Sequence, residues 1–175
     1  MKQRNDKGNN KQSLPLAELV TFALFGAIMF VCKIALTFIP NVHLSAMFIA
    51  AFTLVYRAKA LIPLYVYVTL DGLFVGFSMF WLPNLYIWLP LWGVFMLVRQ
   101  PKMWLVMLIC SLHGLSFGTL YAPTQALMFG LSLKGMFAWI IAGIPFDLVH
   151  ASGNMLASTL ALPLVKLLRR LQAAR

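Results

Sequence analysis

Lys33 and Asp71 are charged side chains inside long runs of apolar residues, where a charge is costly and therefore suggests a function. Lys33 lies in the outer half of the first apolar run, and Asp71 reaches a similar depth in the third. The matching depths favour an ion pair between Lys33 and Asp71. Contact of either residue with a ligand, and extension of the Lys33 ammonium group to the membrane surface, are the alternatives.

The most polar stretch within any apolar run is GIPFDLVHASGN, residues 143–154. Asp147 and His150 lie about one helical turn apart, and Asn154 follows His150 by one more turn. His113 reaches a similar depth in the preceding run. A carboxylate and two imidazoles could bind a metal ion or relay protons, but further metal ligands at a regular spacing are missing. We therefore expect no metal site and favour a hydrogen-bonded network between helices beside a cavity, with a proton relay as the alternative.

Aromatic and amide side chains gather at one set of ends of the apolar runs. Trp and Tyr accumulate at both surfaces of the bilayer in membrane proteins generally, which is the simplest explanation for each of them taken singly. Here the opposite ends carry no comparable group, and this asymmetry favours a pocket that opens outward, with flat rings for a bulky solute and amides to orient it. The candidate pocket residues are Asn41, His43, Trp81, Asn84, Tyr86, Trp88, Tyr121 and Gln125.

The elements that must position these residues follow from the composition. Of the 175 residues, 62% are hydrophobic and only 10% are charged, with a mean hydropathy of +0.86. Soluble domains have about a quarter of their residues charged. The length accommodates about six spans. We therefore predict an all-α integral membrane protein: a disordered cytoplasmic tail over residues 1–13, one six-helix transmembrane domain over 14–170 and a second cytoplasmic tail over 171–175.

The apolar runs place five of the six helices at 15–39, 43–56, 58–81, 84–98 and 135–168, and the other begins near residue 102. Pro123 is expected to kink or end that fifth helix, leaving part of 121–133 as an outer loop. Gly143 and Pro145 are expected to distort the sixth helix near its middle.

The basic residues predict the orientation. Twelve of the fourteen Lys and Arg residues lie in the N-terminal tail, at 57–59, at 99–102 and after residue 165. Six spans place all four regions on one side, which the positive-inside rule makes the cytoplasm. We expect a multi-pass protein of the bacterial cell membrane with both termini inside. Because the basic residues follow the span ends, the net charge of +10 does not indicate nucleic-acid binding.

Two motifs of enzymatic catalysis are absent from the sequence. It contains neither a Walker A loop nor an HExxH run. We expect no enzymatic activity, and hydrolysis of ATP would require a partner.

The first apolar run contains the stretch ALFGA, which places Ala23 and Ala27 four residues apart. With six short spans and a basic cytoplasmic face, this AxxxA stretch resembles the substrate-binding S component of energy-coupling factor transporters. The runs FIPNVHL, LYIWLPLWG, LYAPTQALMFGL and GIPFDLVH are similar to the subgroup of S components specific for vitamin B12.

The resemblance implies a mechanism and partners. In that family the AxxxA motif docks on a transmembrane T component carried by two ATPase subunits, so Ala23 and Ala27 would be the docking residues. The S component binds its vitamin from outside, here cobalamin as a transported ligand, with no permanently bound cofactor. ATP-driven rearrangement then tilts it in the bilayer, and the pocket opens to the cytoplasm.

Other functions stay open at this point. Another B vitamin or a vitamin precursor could be the solute. A stand-alone secondary carrier could use Asp71 or Asp147 as a proton site, although the inverted repeats typical of carriers are not visible. A membrane subunit without a transport role and an intramembrane enzyme are the remaining alternatives.

Overall fold

The computed structural model describes residues 14–39 and 42–174, and this part of the chain is helical without β-strands. The all-α prediction is confirmed. The helices are α1 Leu16–Ala35, α2 Ser45–Tyr56, α3 Leu61–Val75, α4 Leu89–Leu97, α5 Met103–Leu115, α6 Phe117–Phe129, α7 Leu133–Ala157 and α8 Ala161–Ala173. Short 3-10 turns lie at Arg57–Ala60, Leu82–Leu85 and Ser158–Leu160.

Four helical segments are long and apolar enough to cross a membrane. They are Leu16–Ala35, Ser45–Val75, Met103–Phe129 and Leu133–Ala173, and Leu82–Leu97 is a shorter apolar helical segment. The protein is therefore compatible with a membrane location. The number of six spans stays a prediction.

The segment Ser45–Val75 folds back on itself. As one straight helix its 31 residues would extend over about 46 Å. The Ser45 hydroxyl instead donates to the Tyr67 hydroxyl at 3.3 Å, although 22 residues separate them. The reversal occurs at Arg57, whose φ of 55° lies outside the helical region. The segment thus forms two antiparallel parts, α2 and α3.

Two ion pairs show that α1 and α3 run in the same direction. The Lys59 ammonium lies 2.8 Å from the Glu18 carboxylate at one end, and Lys33 pairs with Asp71 at the other. The ion pair predicted between Lys33 and Asp71 is therefore present. Because α2, which lies between them along the chain, runs in the opposite direction, the first three helices alternate in direction.

Helix α4 runs in the same direction as α2. At one end the rings of His43 and Trp88 lie 5.6 Å apart. At the other end Arg57 Nη1 donates to the carbonyls of Phe95 and Val98 at 3.1 and 3.0 Å. The ten buried residues of α2, Ser45 to Leu54, form the centre of the core.

Helices α5 and α6 pack antiparallel to α7. The Gly118 amide donates to the Asp147 carboxylate at 3.0 and 3.2 Å, and the Asn154 side-chain amide donates to the Cys110 carbonyl at 3.3 Å. Asp147 and Asn154 thus form two of the hydrogen bonds expected between the fifth and sixth predicted helices, which correspond to α5–α6 and to α7. The missing Cβ of Gly114 allows the close approach.

We expect Gly114→Ala to destabilise the protein. A Cβ at Gly114 would lie 2.8 Å from Ala151 Cα, a backbone atom that cannot rotate away. Separating α5 from α7 costs about 1–3 kcal/mol, as overpacking does elsewhere, and lowers the midpoint of thermal unfolding in detergent. Gly93→Ala in α4 is the control, since its Cβ meets nothing within 4 Å. An unchanged midpoint for Gly114→Ala would contradict the close packing.

Several helix ends differ from the prediction. Helix α3 ends at Val75 rather than 81, because Gly76 adopts a φ of 91°. The next helix begins at Leu89 rather than 84, after a 3-10 turn. The expected distortion at Pro145 does not interrupt α7, and α8 extends to Ala173.

The predicted end of the helix at Pro123 is wrong, since α6 continues through it to Phe129. Apolar helices tolerate an internal proline more readily than helices of soluble proteins do. Tyr86 holds this part of α6, since its hydroxyl donates to the Leu120 carbonyl at 2.9 Å. The helix ends instead at Gly130, whose φ of 61° suits glycine, and the Ser132 side chain then caps α7.

Candidate functional site

All three histidines of the chain meet in one aromatic cluster. His43 lies in the α1–α2 connection, His113 lies in the last turn of α5 and His150 lies in α7. The rings of His43 and His150 are 4.5 Å apart, and Phe117 lies 4.3 Å from His150. Trp88 stacks on His113 at 5.5 Å. We call His43, Trp88, His113, Phe117 and His150 the histidine cluster.

The histidine cluster holds buried polar atoms that have no hydrogen-bond partner among the described residues. These atoms are His43 Nδ1, Trp88 Nε1, His113 Nδ1 and His150 Nε2, together with Oδ1 of the nearby Asn154. A buried polar atom without a partner costs about 1–3 kcal/mol. Buried polar groups in folded proteins are nearly always paired, so five unpaired atoms in one region leave hydrogen bonds for a solute or ordered water to complete.

The partners of these side chains indicate what a bound molecule must offer. His113 Nε2 lies 2.8 Å from the Ile87 carbonyl and must donate to it, so a neutral His113 has an acceptor at Nδ1. The Asn154 amide already donates to Cys110, which leaves its oxygen as an acceptor. Trp88 Nε1 can only donate. A matching solute therefore carries both donors and acceptors.

His43 is the member of the cluster that lies in a connection between helices. Removal of its ring from water lowers the pKa of His43 well below its usual range, and the nearby His150 contributes in the same direction. The ring is therefore neutral at physiological pH, with one nitrogen as donor and the other as acceptor.

The three imidazoles do not form a metal centre. Within residues 14–39 and 42–174, no group of three or more His, Cys, Asp and Glu side chains is placed to hold a metal ion. His43 and His150 meet edge to face, with 84° between their rings. This is a packing geometry of aromatic rings.

Only two of the eight predicted pocket residues, His43 and Trp88, belong to the histidine cluster. Tyr86 and Tyr121 donate instead to backbone carbonyls of Leu120 and Phe80, and Trp81 donates to Val68. These bonds hold residues 76–88 against α3 and α6. Gln125 is buried and Asn84 is half-buried, whereas Asn41 lies outside the described residues.

Phe117 was not among the predicted site residues, and His113 and His150 were predicted outside the pocket. Their positions along the predicted helices place His113 near the middle and His150 one turn from Asp147, apart from the aromatic residues at the helix ends. The four-residue spacing from His113 to Phe117, which puts both rings on one helical face, was a signal that could have connected them to the aromatic residues.

The two intramembrane carboxylates have partners of their own. Asp71 is almost completely buried beside Lys33, whose side chain is 32% exposed. The Asp147 carboxylate accepts a hydrogen bond from the Gly118 amide. Both carboxylates therefore connect helices.

The predicted docking residues lie on the outer face of α1. Ala23 is exposed and Ala27 is half-buried, whereas Gly26 lies against Val66 and the Pro63 carbonyl of α3. The face of α1 that carries the two alanines is thus available to another protein or to lipid.

Comparison of the chain with family models, with curated proteins and with solved structures gives no match.

Proposed function

We propose that the protein is a membrane-embedded solute-binding subunit of the S-component type. The histidine cluster carries this proposal, because it joins stacked aromatic rings with five buried polar atoms that lack partners. A solute that inserts between these groups would satisfy them and stack on Trp88 or Phe117.

The orientation that we propose is six passes with both termini in the cytoplasm of a bacterial cell. The alternating directions of the helices support an even number of passes. Leu171 of α8 lines the same groove as Pro15 and Glu18, so the start of α1 and the end of α8 lie at the same end of the bundle. The basic residues at 57–59, 99–102 and 166–170 then face the cytoplasm.

The partners that we propose are a transmembrane T component and two ATPase subunits. The exposed position of Ala23 and the half-buried position of Ala27 support docking, since small residues let a second helix approach closely. The solute proposed first is cobalamin, and other B vitamins or their precursors follow.

The test is binding of cobalamin to the purified chain alone, measured by calorimetry in detergent. Tight one-to-one binding is expected. If a folded sample does not bind cobalamin, a panel of other vitamins and precursors is measured in the same way. Failure to bind any of them would overturn the proposal.

We further expect His150→Phe to weaken binding of that solute. Phenylalanine keeps the ring packed on Phe117 but removes the unpartnered Nε2, and the loss of one hydrogen bond in a buried site reduces affinity about tenfold. Tyr65→Phe is the control, because it removes one hydrogen bond to Leu85 outside the cluster. Equal affinities for the two variants would show that the histidine cluster does not bind the solute.

The alternative of a stand-alone proton-coupled carrier requires a carboxylate that exchanges protons during transport. Asp71→Asn or Asp147→Asn would abolish transport in that mechanism. In an S component, by contrast, uptake depends on the T component and ceases when the ATPase subunits are absent.

A further inference from the structure

Three arginines from three different segments line one cavity at the end of the bundle where α1 begins and α8 ends. Arg57 follows α2, Arg99 lies in the α4–α5 connection and Arg169 lies on α8. With Leu54 and Gln100 they line an open cavity of about 370 Å³. We call these five residues the arginine pocket.

The arginine pocket has no carboxylate to balance its charge within the described part of the chain. The three acidic residues of that part are Glu18, Asp71 and Asp147. Glu18 pairs with Lys59, Asp71 pairs with Lys33, and Asp147 accepts the Gly118 amide. A cavity with three guanidinium groups therefore attracts an anion from outside the chain.

The three arginines differ in their contacts with the rest of the chain. Arg57 is fixed, because its guanidinium donates to the carbonyls of Phe95, Met96 and Val98 at the end of α4. Arg99 and Arg169 are exposed, and neither forms an ion pair or a side-chain hydrogen bond with another described residue. Their planar groups each offer donors in the geometry that matches a phosphate.

The pocket arginines lie at or near the ends of apolar helices. Leu97, which is 86% exposed, lies two residues before Arg99, and the exposed Leu167 lies two residues before Arg169. The exposed Trp104 follows the same connection. In a membrane these apolar ends place the arginines at the depth of the lipid headgroups, where an anionic phospholipid offers its phosphate to them.

We propose that the arginine pocket binds the phosphate of an anionic phospholipid of the adjoining leaflet. The lipid seals the cavity between α2, α8 and the α4–α5 connection. This site is separate from the histidine cluster and does not depend on which solute the protein binds.

The test uses delipidated protein in detergent and counts bound molecules by native mass spectrometry. Phosphatidylglycerol, phosphatidylcholine and inorganic phosphate are titrated separately. The variant Arg99→Gln/Arg169→Gln removes two charges from the pocket. The matched control Lys102→Gln/Arg170→Gln removes two charges from the same connection and the same helix, outside the pocket.

We expect the wild type and the control to bind one phosphatidylglycerol in preference to phosphatidylcholine. The pocket variant should bind it at least about tenfold more weakly than the control, because each lost charge-assisted hydrogen bond costs about tenfold in affinity. Each single variant, Arg99→Gln and Arg169→Gln, should show part of the loss, which provides a second measurement if the double variant folds poorly.

Three results would overturn the proposal. Equal losses for the pocket variant and the control would mean that the whole basic surface attracts lipid without a site. Equal binding of phosphatidylcholine would exclude recognition of an anionic headgroup. Displacement of phosphatidylglycerol by millimolar inorganic phosphate, with phosphate retained on the protein, would identify a free anion as the ligand.

Discussion

Uptake of the solute into cells should fall to background when Ala27 is replaced by tryptophan, while the purified variant still binds the solute as the wild type does. Ala27 is half-buried on the outer face of α1, and Ala23 lies exposed one turn before it. If a helix of the T component packs here, as we propose, an indole separates the two helices by several ångströms and prevents close packing. Uptake by cells that contain the T component and the ATPases, and calorimetry on the purified chain, are the two measurements.

The matched control is Ile141→Trp on α7, which adds the same indole to another exposed position. It should leave both uptake and binding unchanged. Loss of binding in Ala27→Trp would mean that the substitution damages the fold, and normal uptake would mean that this face of α1 does not dock. Both results would contradict the assignment of Ala23 and Ala27.

The sequence predicts the helical segments well because hydropathy in a long apolar run is a local property. Helices α1, α2, α5 and α7 therefore begin within a few residues of their predicted first residues. The Lys33–Asp71 ion pair was also predictable, since two charges of opposite sign at equal depth in apolar runs attract each other.

Backbone geometry at single residues limited the rest of the fold prediction. Gly76 ends α3 early, whereas the reversal at Arg57 agrees with the predicted boundary between the helices at 43–56 and 58–81. The Tyr86 hydroxyl holds α6 at Leu120, 34 positions away. A contact at such a separation has no local signal in the sequence.

The candidate site was predicted only in part, because contacts between distant residues leave no local signal in the sequence. His43 and Trp88 were identified as aromatic residues near the outer surface, and they do lie in the histidine cluster. The contact of His43 with His150 depends on how closely α7 packs on α5, which the missing Cβ of Gly114 permits. The packing of α5 against α7 therefore decides which polar atoms meet.

Replacement of Lys33 should destabilise the protein more than replacement of Asp71, its partner in the ion pair. Lys33→Met leaves the Asp71 carboxylate, with only 3% of its side chain exposed, without its cation. Removal of one partner from a buried pair costs about 3–5 kcal/mol. Asp71→Asn leaves Lys33, which is 32% exposed and two residues from the end of α1, so its ammonium group can extend to the polar surface.

The midpoint of thermal unfolding in detergent should therefore decrease most for Lys33→Met and much less for Asp71→Asn. The double variant Lys33→Met/Asp71→Asn should recover most of the loss, because it buries no unpaired charge between α1 and α3. This recovery separates a charge effect from a packing effect, since the double variant keeps the same methionine. Equal losses of stability in the two single variants would mean that Lys33 is as confined as Asp71. If the double variant is the least stable of the three, the pair stabilises the contact of α1 with α3 beyond neutralising the buried carboxylate.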